Sequence, residues 1–371
     1  MVSFFKGTPN VVTGSGDEAR ELPATVGGSP LAEDFNRLAE MRLEHLVAVR
    51  EPLVLISQIQ RSGGTLLGQL FDSHPQCHAF PPELDIGYPN AATWPVLDLT
   101  AGPRKWFDAL SDGETIRRAR QGYTKAHKAL RRTEPEAARH EHDTRDVLPF
   151  LFAPALQETI FECCIANWGS MSQRDLLDAY MTSYFNAWLD NHNLYAGPKQ
   201  VVTGFKPQLA TKPENTKAYF DAYPNGTLVS IVREPKSWFT SRKHERQNLK
   251  GNVGKWRRSV ETLIEQKQWY GPRMFVLAYE DLVRQPEEVM RQLAESLGIE
   301  FHPSLLEPTF NGFPIKADSS FRVDSYGIIT EPLARYRDVL TEDECRYIDR
   351  RALDLYEEAL ALRSYELALK T

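Results

Sequence analysis

Two short segments carry residue types that bind anions. In the first, QRSGGTLL, residues Arg61, Ser62, Gly63, Gly64 and Thr65 stand between the apolar run Leu53 to Ile56 and a helical pattern in which Leu66, Leu67, Leu70 and Phe71 recur. Gly63 and Gly64 leave the backbone free to approach an anion without an intervening Cβ. The unpaired amides and dipole of a helix opening at Thr65 favour negative charge there. In the second segment, IVREPKSWFTS, Arg233 ends a largely apolar run in which Leu228, Ser230 and Val232 alternate with Val229 and Ile231, and Ser241 follows eight residues later. Two turns of a helix begun near Pro235 return Ser241 toward the strand end, where a guanidinium and a hydroxyl converge on one phosphate.

The first turn is not a Walker loop. That motif, G-x-x-x-x-G-K-[ST], supplies a lysine to the outer phosphates and a hydroxyl to magnesium. Here the turn is shorter, no lysine follows the second glycine, and the one cation, Arg61, opens the turn. Taken singly, the first segment also fits an ordinary strand-to-helix connection, and Arg233 a surface or ion-pairing arginine.

Together, QRSGGTLL followed by LFDSHP, and the later IVREPKSWFTS, resemble the sulfotransferases that use 3′-phosphoadenosine 5′-phosphosulfate (PAPS), above all their bacterial and their protein-tyrosine or carbohydrate branches. The resemblance covers roughly residues 50 to 85 and 200 to 345. It implies that Arg61, Ser62, Gly63, Gly64, Thr65 and the amide of Leu66 hold the 5′-phosphosulfate, and that Arg233 and Ser241 hold the 3′-phosphate. Arg61 stands where the cytosolic aryl branch has a lysine. YEDLVRQPEE, from Tyr279, also looks like the family.

The implied reaction moves a sulfuryl group in line from a phosphate leaving group to an acceptor hydroxyl, releasing adenosine 3′,5′-bisphosphate. Such an enzyme aligns two oxygens, stabilises charge on the departing oxygen and takes the acceptor proton. Arg61 is the candidate for the departing oxygen, and no metal is demanded, because cations and amides can hold the phosphates. The resemblance implies a glutamate base shortly after the first helix, and Glu83 in SHPQCHAFPPEL stands at the matching distance. His78 is the fallback base, since imidazole titrates near neutrality, while His74 in its His-Pro pair ends the helix. Lys206, in a Gly-x-Lys-Pro turn like that of bacterial relatives, is a candidate for the sulfonate or else an exposed lysine. Arg322, Tyr326, Thr330 and Arg335 lie in a late segment resembling the one that closes over the nucleotide, and are candidates for the 3′-phosphate or the adenine edge. Two other readings share these loops: a kinase-like phosphotransferase, which needs the missing Walker lysine and magnesium, and a nucleotide-binding module without catalysis.

The elements that must position these residues follow from the same pattern. Strands at Leu53 to Ile56, from Val201, from Leu228 and over 274–279 alternate with helices over Leu31 to Val49, after Gly64, in PENTKAYFDAYP and from Pro286 to Gly298. This alternation predicts an α/β fold, a P-loop NTPase-like parallel sheet flanked by helices, with active-site loops beyond the carboxyl ends of the strands. Residues 1–30, rich in Gly, Pro, Ser and Thr, read as a loosely held arm. Residues 31–371 read as a single sulfotransferase domain, in which 88–198 is a helix-rich insertion forming an acceptor cap.

Composition narrows the partners. The chain has 371 residues, 42% hydrophobic and 25% charged, with a net charge of −6 that argues against general nucleic-acid affinity. No apolar stretch is long enough to span a membrane or to serve a secretory leader, so the expected compartment is the cytoplasm. Cys77, Cys163, Cys164 and Cys345 lack metal-ligand spacing and read as thiols, and His127, His140 and His142 make no zinc pattern. The basic run over 117–145 is either a solvated helix face or a surface that recruits an anionic acceptor. Trp94, Trp106, Trp168, Trp188 and Tyr184 either line an acceptor pocket or belong to the core. The motifs look closest to the bacterial and carbohydrate-type branches, which favours a small-molecule or glycan acceptor bearing a sugar or other alcohol hydroxyl.

Overall fold

The computed structural model describes residues 29–81, 83–84, 86–87, 93–111, 150–169, 171–243, 248–315 and 325–367. The described strands are β1 (Leu53–Ile56), β2 (Cys77–Phe80), β3 (Val201–Phe205), β4 (Thr227–Val232), β5 (Met274–Ala278), β6 (Thr309–Phe310) and β7 (Phe313–Pro314). The first five form one sheet in the order β2-β3-β1-β4-β5, and every pairing in it is parallel. The last two make a small antiparallel hairpin.

The helices among the described residues are α1 (Pro30–Glu44), α2 (Gly64–Phe71), α3 (Pro103–Ser111), α4 (Pro154–Trp168), α5 (Gln173–Ala187), α6 (Pro213–Ala222), α7 (Pro235–Lys243), α8 (Leu249–Tyr270), α9 (Tyr279–Arg284), α10 (Pro286–Ser296), α11 (Tyr336–Val339) and α12 (Glu342–Ala361). Proline in the first turn starts α1, α4, α6 and α10, where its missing N–H costs no hydrogen bond. Reciprocal capping boxes, Ser172 with Asp175 and Thr341 with Glu344, start α5 and α12.

Strand side chains alternate between two apolar layers, as the pleat requires. Leu53 and Leu55 of β1, Leu228 and Val232 of β4, and Met274 and Val276 of β5 enter one core with residues of α5, α8 and α12. Val54, Ile56, Val229, Ile231, Phe275 and Leu277 enter the other, with α2 and α10. The sheet is therefore covered on both faces, which is why its strands read as continuous apolar runs. From β1 the chain passes to the β2 and β3 side, then crosses back to β4 and β5. That reversal puts the open crevice at the carboxyl end of β1.

Helix α5 lies deep in the first core, with Leu176 to Ala187 buried throughout. Its polar side chains are satisfied by the segment leading into β1: Thr182 Oγ1 accepts from Val49 N at 2.9 Å and Asn186 Oδ1 from Val47 N at 3.1 Å. Trp94, Trp106, Trp188 and Tyr184 are buried core residues, and the guanidinium of Arg50 covers the half-buried Trp168 at 3.7 Å. The sequence pattern misses β2, whose four residues include a histidine and are too few for a period to emerge. It also misses α8 and α12. Tyr279, expected to end β5, instead begins α9. The basic run 117–145 with His127, His140 and His142, all of the expected N-terminal arm but its last two residues, and Arg322 lie outside the described residues. Among the described residues no helix is long and apolar enough to cross a membrane.

Candidate active site

The turn after β1 is held from three directions. Ser57 N donates to Val229 O of β4 at 3.0 Å, Gln208 N donates to Gln58 O at 2.8 Å, and Trp238 Nε1 of α7 donates to Gln60 O at 2.8 Å. Arg61 takes a left-handed backbone, φ 71°, and Gly63 follows at φ 100°, so the chain doubles back tightly before α2. The glycines are required by their neighbours as well as by φ. A Cβ on Gly63 would overlap the Tyr279 ring, and one on Gly64 would overlap the Phe205 ring. The first amides of α2 have no partners within the helix and face the turn.

At the end of β4, Arg233 is buried and its guanidinium is fully oriented. Nε and Nη2 donate to Ser237 Oγ at 3.0 and 2.9 Å, Nη1 donates to Arg61 O at 2.9 Å, and the group lies over the Tyr279 ring at 4.3 Å. Burial pushes its pKa down from the ordinary arginine value, while Tyr279 and Glu280 work the other way. Glu280, its own carboxyl pushed up by burial, accepts from Glu234 N at 3.1 Å and from Tyr356 OH at 2.9 Å. Ser241 Oγ donates to Trp238 O at 2.6 Å. The hydroxyl bonded to Arg233 is thus Ser237, one turn along α7, and not Ser241.

A cleft of about 320 Å³ opens here, within the size range of small-ligand sites. Arg61, Gly63, Gly64, Thr65, Leu66, Arg233, Ser241, Glu83 and Arg335 all line it. Sequence reasoning missed Tyr279, Ser237, Phe205 and Gln60, which line it too. The signal for Ser237 was its spacing four residues after Arg233. That for Tyr279 was its place at the head of YEDL, just past a buried strand.

The remaining candidates lie elsewhere. Ser62 is outside the lining, and its hydroxyl is buried without a hydrogen-bond partner. His78 does not reach the cleft as the fallback base would have to: it sits on β2, packs tilted against the Phe185 ring at 5.1 Å and borders a separate small cavity beside Trp188. Burial pushes its pKa down to about 3, and its Nε2 has no partner. Lys206 is neither exposed nor in the cleft lining. It is buried, with Nζ donating to Leu84 O and Ile86 O at 3.1 Å each. Tyr326 and Thr330 are exposed and do not line the cleft, although Gly327, Ile329 and Pro332 beside them do. His74 has the structural role expected of it, with Nε2 bonded to Glu300 O at 2.8 Å just after α2. Among the described residues no cluster of three or more His, Cys, Asp or Glu is set to hold a metal ion.

No curated protein matches the sequence. Among solved structures, the chain is similar to the sulfotransferase domain of the Synechococcus PCC 7002 olefin synthase, with 19% identity, coverage of 86% of this chain and 97% of that one, and a TM-score of 0.48. It is similar also to the sulfotransferase domain from the curacin biosynthetic pathway, with 17% identity, 86% and 99% coverage and a TM-score of 0.45. For the sulfotransferase STF9 from Mycobacterium avium the values are 14%, 90% and 82%, and 0.38. The sulfotransferase family model matches residues 52–303, more than half of the chain and the whole of the sheet. This protein therefore belongs to the sulfotransferase family.

Proposed function

We propose that the protein transfers the sulfuryl group of PAPS to the hydroxyl of a small-molecule or glycan acceptor, a sugar or other alcohol. The observation that carries this reading is that Arg61, Arg233 and Glu83, far apart in the chain, line one cleft at the carboxyl ends of β1 and β4. The site also fits the donor chemically. Gly63 and Gly64 keep side chains away from the turn, the helix amides that follow them open on the cleft, and two guanidinium groups border it. Phosphate and sulfonate oxygens would complete those donors.

In this reading the amides of Gly64, Thr65 and Leu66 and the Thr65 hydroxyl hold the 5′-phosphate, and Arg233 with Ser241 holds the 3′-phosphate. Glu83 takes the proton of the acceptor hydroxyl as its oxygen attacks sulfur. The bond from sulfur to the bridging oxygen breaks, and Arg61 offsets the charge that collects on that oxygen. Adenosine 3′,5′-bisphosphate leaves, and the acceptor keeps the sulfuryl group. Arg335 lines the same cleft and is available to the nucleotide. The burial of α5 in the sheet's own core supports reading 31–371 as one domain.

The test is incubation with labelled PAPS and a small-molecule extract of the native host, followed by mass spectrometry for an added sulfonate. Formation of adenosine 3′,5′-bisphosphate together with a sulfonated alcohol is the expected result. Failure to bind or consume PAPS, with the folded protein at hand, overturns the reading.

A further inference from the structure

We infer that Lys206 is a positioning residue for Glu83. The inference rests on the reading of Glu83 as the acceptor's base. The segment that brings Glu83 to the cleft has no regular secondary structure from Pro81 to Gly87 in its described residues. Its geometry must therefore come from tertiary contacts. Leu84 and Ile86, both fully buried, anchor it by their side chains. Leu84 N donates to Phe205 O at 2.6 Å, and the Lys206 ammonium donates to the carbonyls of Leu84 and Ile86. A buried ammonium shared between the carbonyls of Leu84 and Ile86 pins the described residues that follow Glu83.

The same lysine is fixed to the phosphate loop through its own backbone. Lys206 N donates to Ile56 O at 2.9 Å, and Lys206 O accepts from Ser57 Oγ at 2.6 Å, while Ala210 N donates to that same Oγ at 2.9 Å. Ser57 begins the turn that leads to Arg61. One residue thus spans from the root of the turn that would hold the donor to the segment that would present the base. The separation of those two groups must suit an in-line displacement, and small errors in it are costly in rate.

The proposal predicts that Lys206 acts on turnover through Glu83 and leaves donor affinity alone. In a double-mutant cycle of Lys206→Met and Glu83→Gln, we expect the single lysine variant to lose roughly tenfold or more in kcat, with the Kd for adenosine 3′,5′-bisphosphate changed less than about twofold. Added to Glu83→Gln, the lysine change should cost less than about twofold further, since the group it positions is already disabled. Lys206→Arg, which keeps a buried cationic donor, should recover part of the rate. Should the methionine variant not fold, Lys206→Gln, which keeps a donor amide, takes its place in the cycle. A full second loss on the Glu83→Gln background, or a loss of bisphosphate affinity, overturns the positioning role while leaving the base assignment intact. Parental turnover by Glu83→Gln itself overturns the base assignment, and the positioning role falls with it.

Discussion

Arg233 Nη1 donates to the carbonyl oxygen of Arg61 at 2.9 Å, so the arginine that ends β4 is bonded to the backbone of the arginine that opens the turn after β1. The two cleft-lining segments are therefore one structure. Any group that displaces Arg233 also loosens the turn, and the geometry of each end of the cleft is set partly by the other.

Replacement of Arg233 by alanine is expected to weaken binding of adenosine 3′,5′-bisphosphate by at least about 2 kcal/mol, roughly thirtyfold in Kd, by loss of a charge-assisted pair and of the turn's support. Lysine should rescue little, because its ammonium cannot bond Ser237 and the Arg61 carbonyl in the same fork. Calorimetric titration measures this, and an unchanged Kd in the alanine variant removes Arg233 from the donor site.

Ser237→Ala takes away the acceptor of two Arg233 bonds, at Nε and Nη2. It is expected to weaken the bisphosphate several-fold, less than Arg233→Ala does, because the charge remains. Ser241→Ala should also weaken it if that hydroxyl meets the phosphate directly. A Ser237 variant with parental affinity and parental melting would mean that Arg61 and Tyr279 alone orient the guanidinium.

Glu83→Gln is expected to lower kcat by roughly 10²- to 10⁴-fold, the usual worth of a general base, while bisphosphate affinity stays near parental. Single-turnover transfer beside calorimetry separates the two effects. Near-parental transfer would require the proton to leave by another route.

Gly64→Ala should destabilise the fold by about 1–3 kcal/mol, since its Cβ would overlap the Phe205 ring in a packed layer. Gly63→Ala meets the Tyr279 ring and adds the strain of a left-handed φ of 100°. Both should melt earlier than the parent, and parental melting of either would show that the rings can move aside.

His78 bears on acid stability. Its pKa is lowered by burial from 6.5 to about 3, so between those values the unfolded chain binds more protons than the folded one. The stability that depends on neutral His78 is fully present above pH 6.5 and is lost as pH falls toward 3. Denaturant titrations of His78→Leu should therefore give a shallower decline over that window than the parent. An identical slope in both proteins would mean that His78 is not neutral in the fold. Its replacement should not move the pH profile of transfer, because it lies outside the cleft.

Much of the cleft lining was legible in the sequence for a local reason. Arg61 to Thr65 and the span from Arg233 to Ser241 are each a strand end, a turn and a helix start, and short-range geometry is enough to say where such residues point. Glu83, which lines the cleft, was singled out only by its distance from His74 and Pro75 in a known pattern, since an irregular segment has no period. His78 and Lys206 were misjudged because burial, which comes from distant helices and strands, decides whether an imidazole titrates or an ammonium meets solvent.

The sequence by itself determined the α/β alternation, the two strand-turn-helix segments that line the cleft and the membership of a family, because these rest on apolar periodicity, glycine placement and residues close in the chain. Only the tertiary structure decided that Arg233 bonds Ser237 and the Arg61 carbonyl, that Tyr279 and Phe205 demand the two glycines, and that Lys206 holds the segment bearing Glu83. Those relationships join residues separated by more than a hundred positions, apart from Ser237. They exist because the strand order β2-β3-β1-β4-β5 sets the ends of these strands side by side, a neighbourhood that no local pattern encodes.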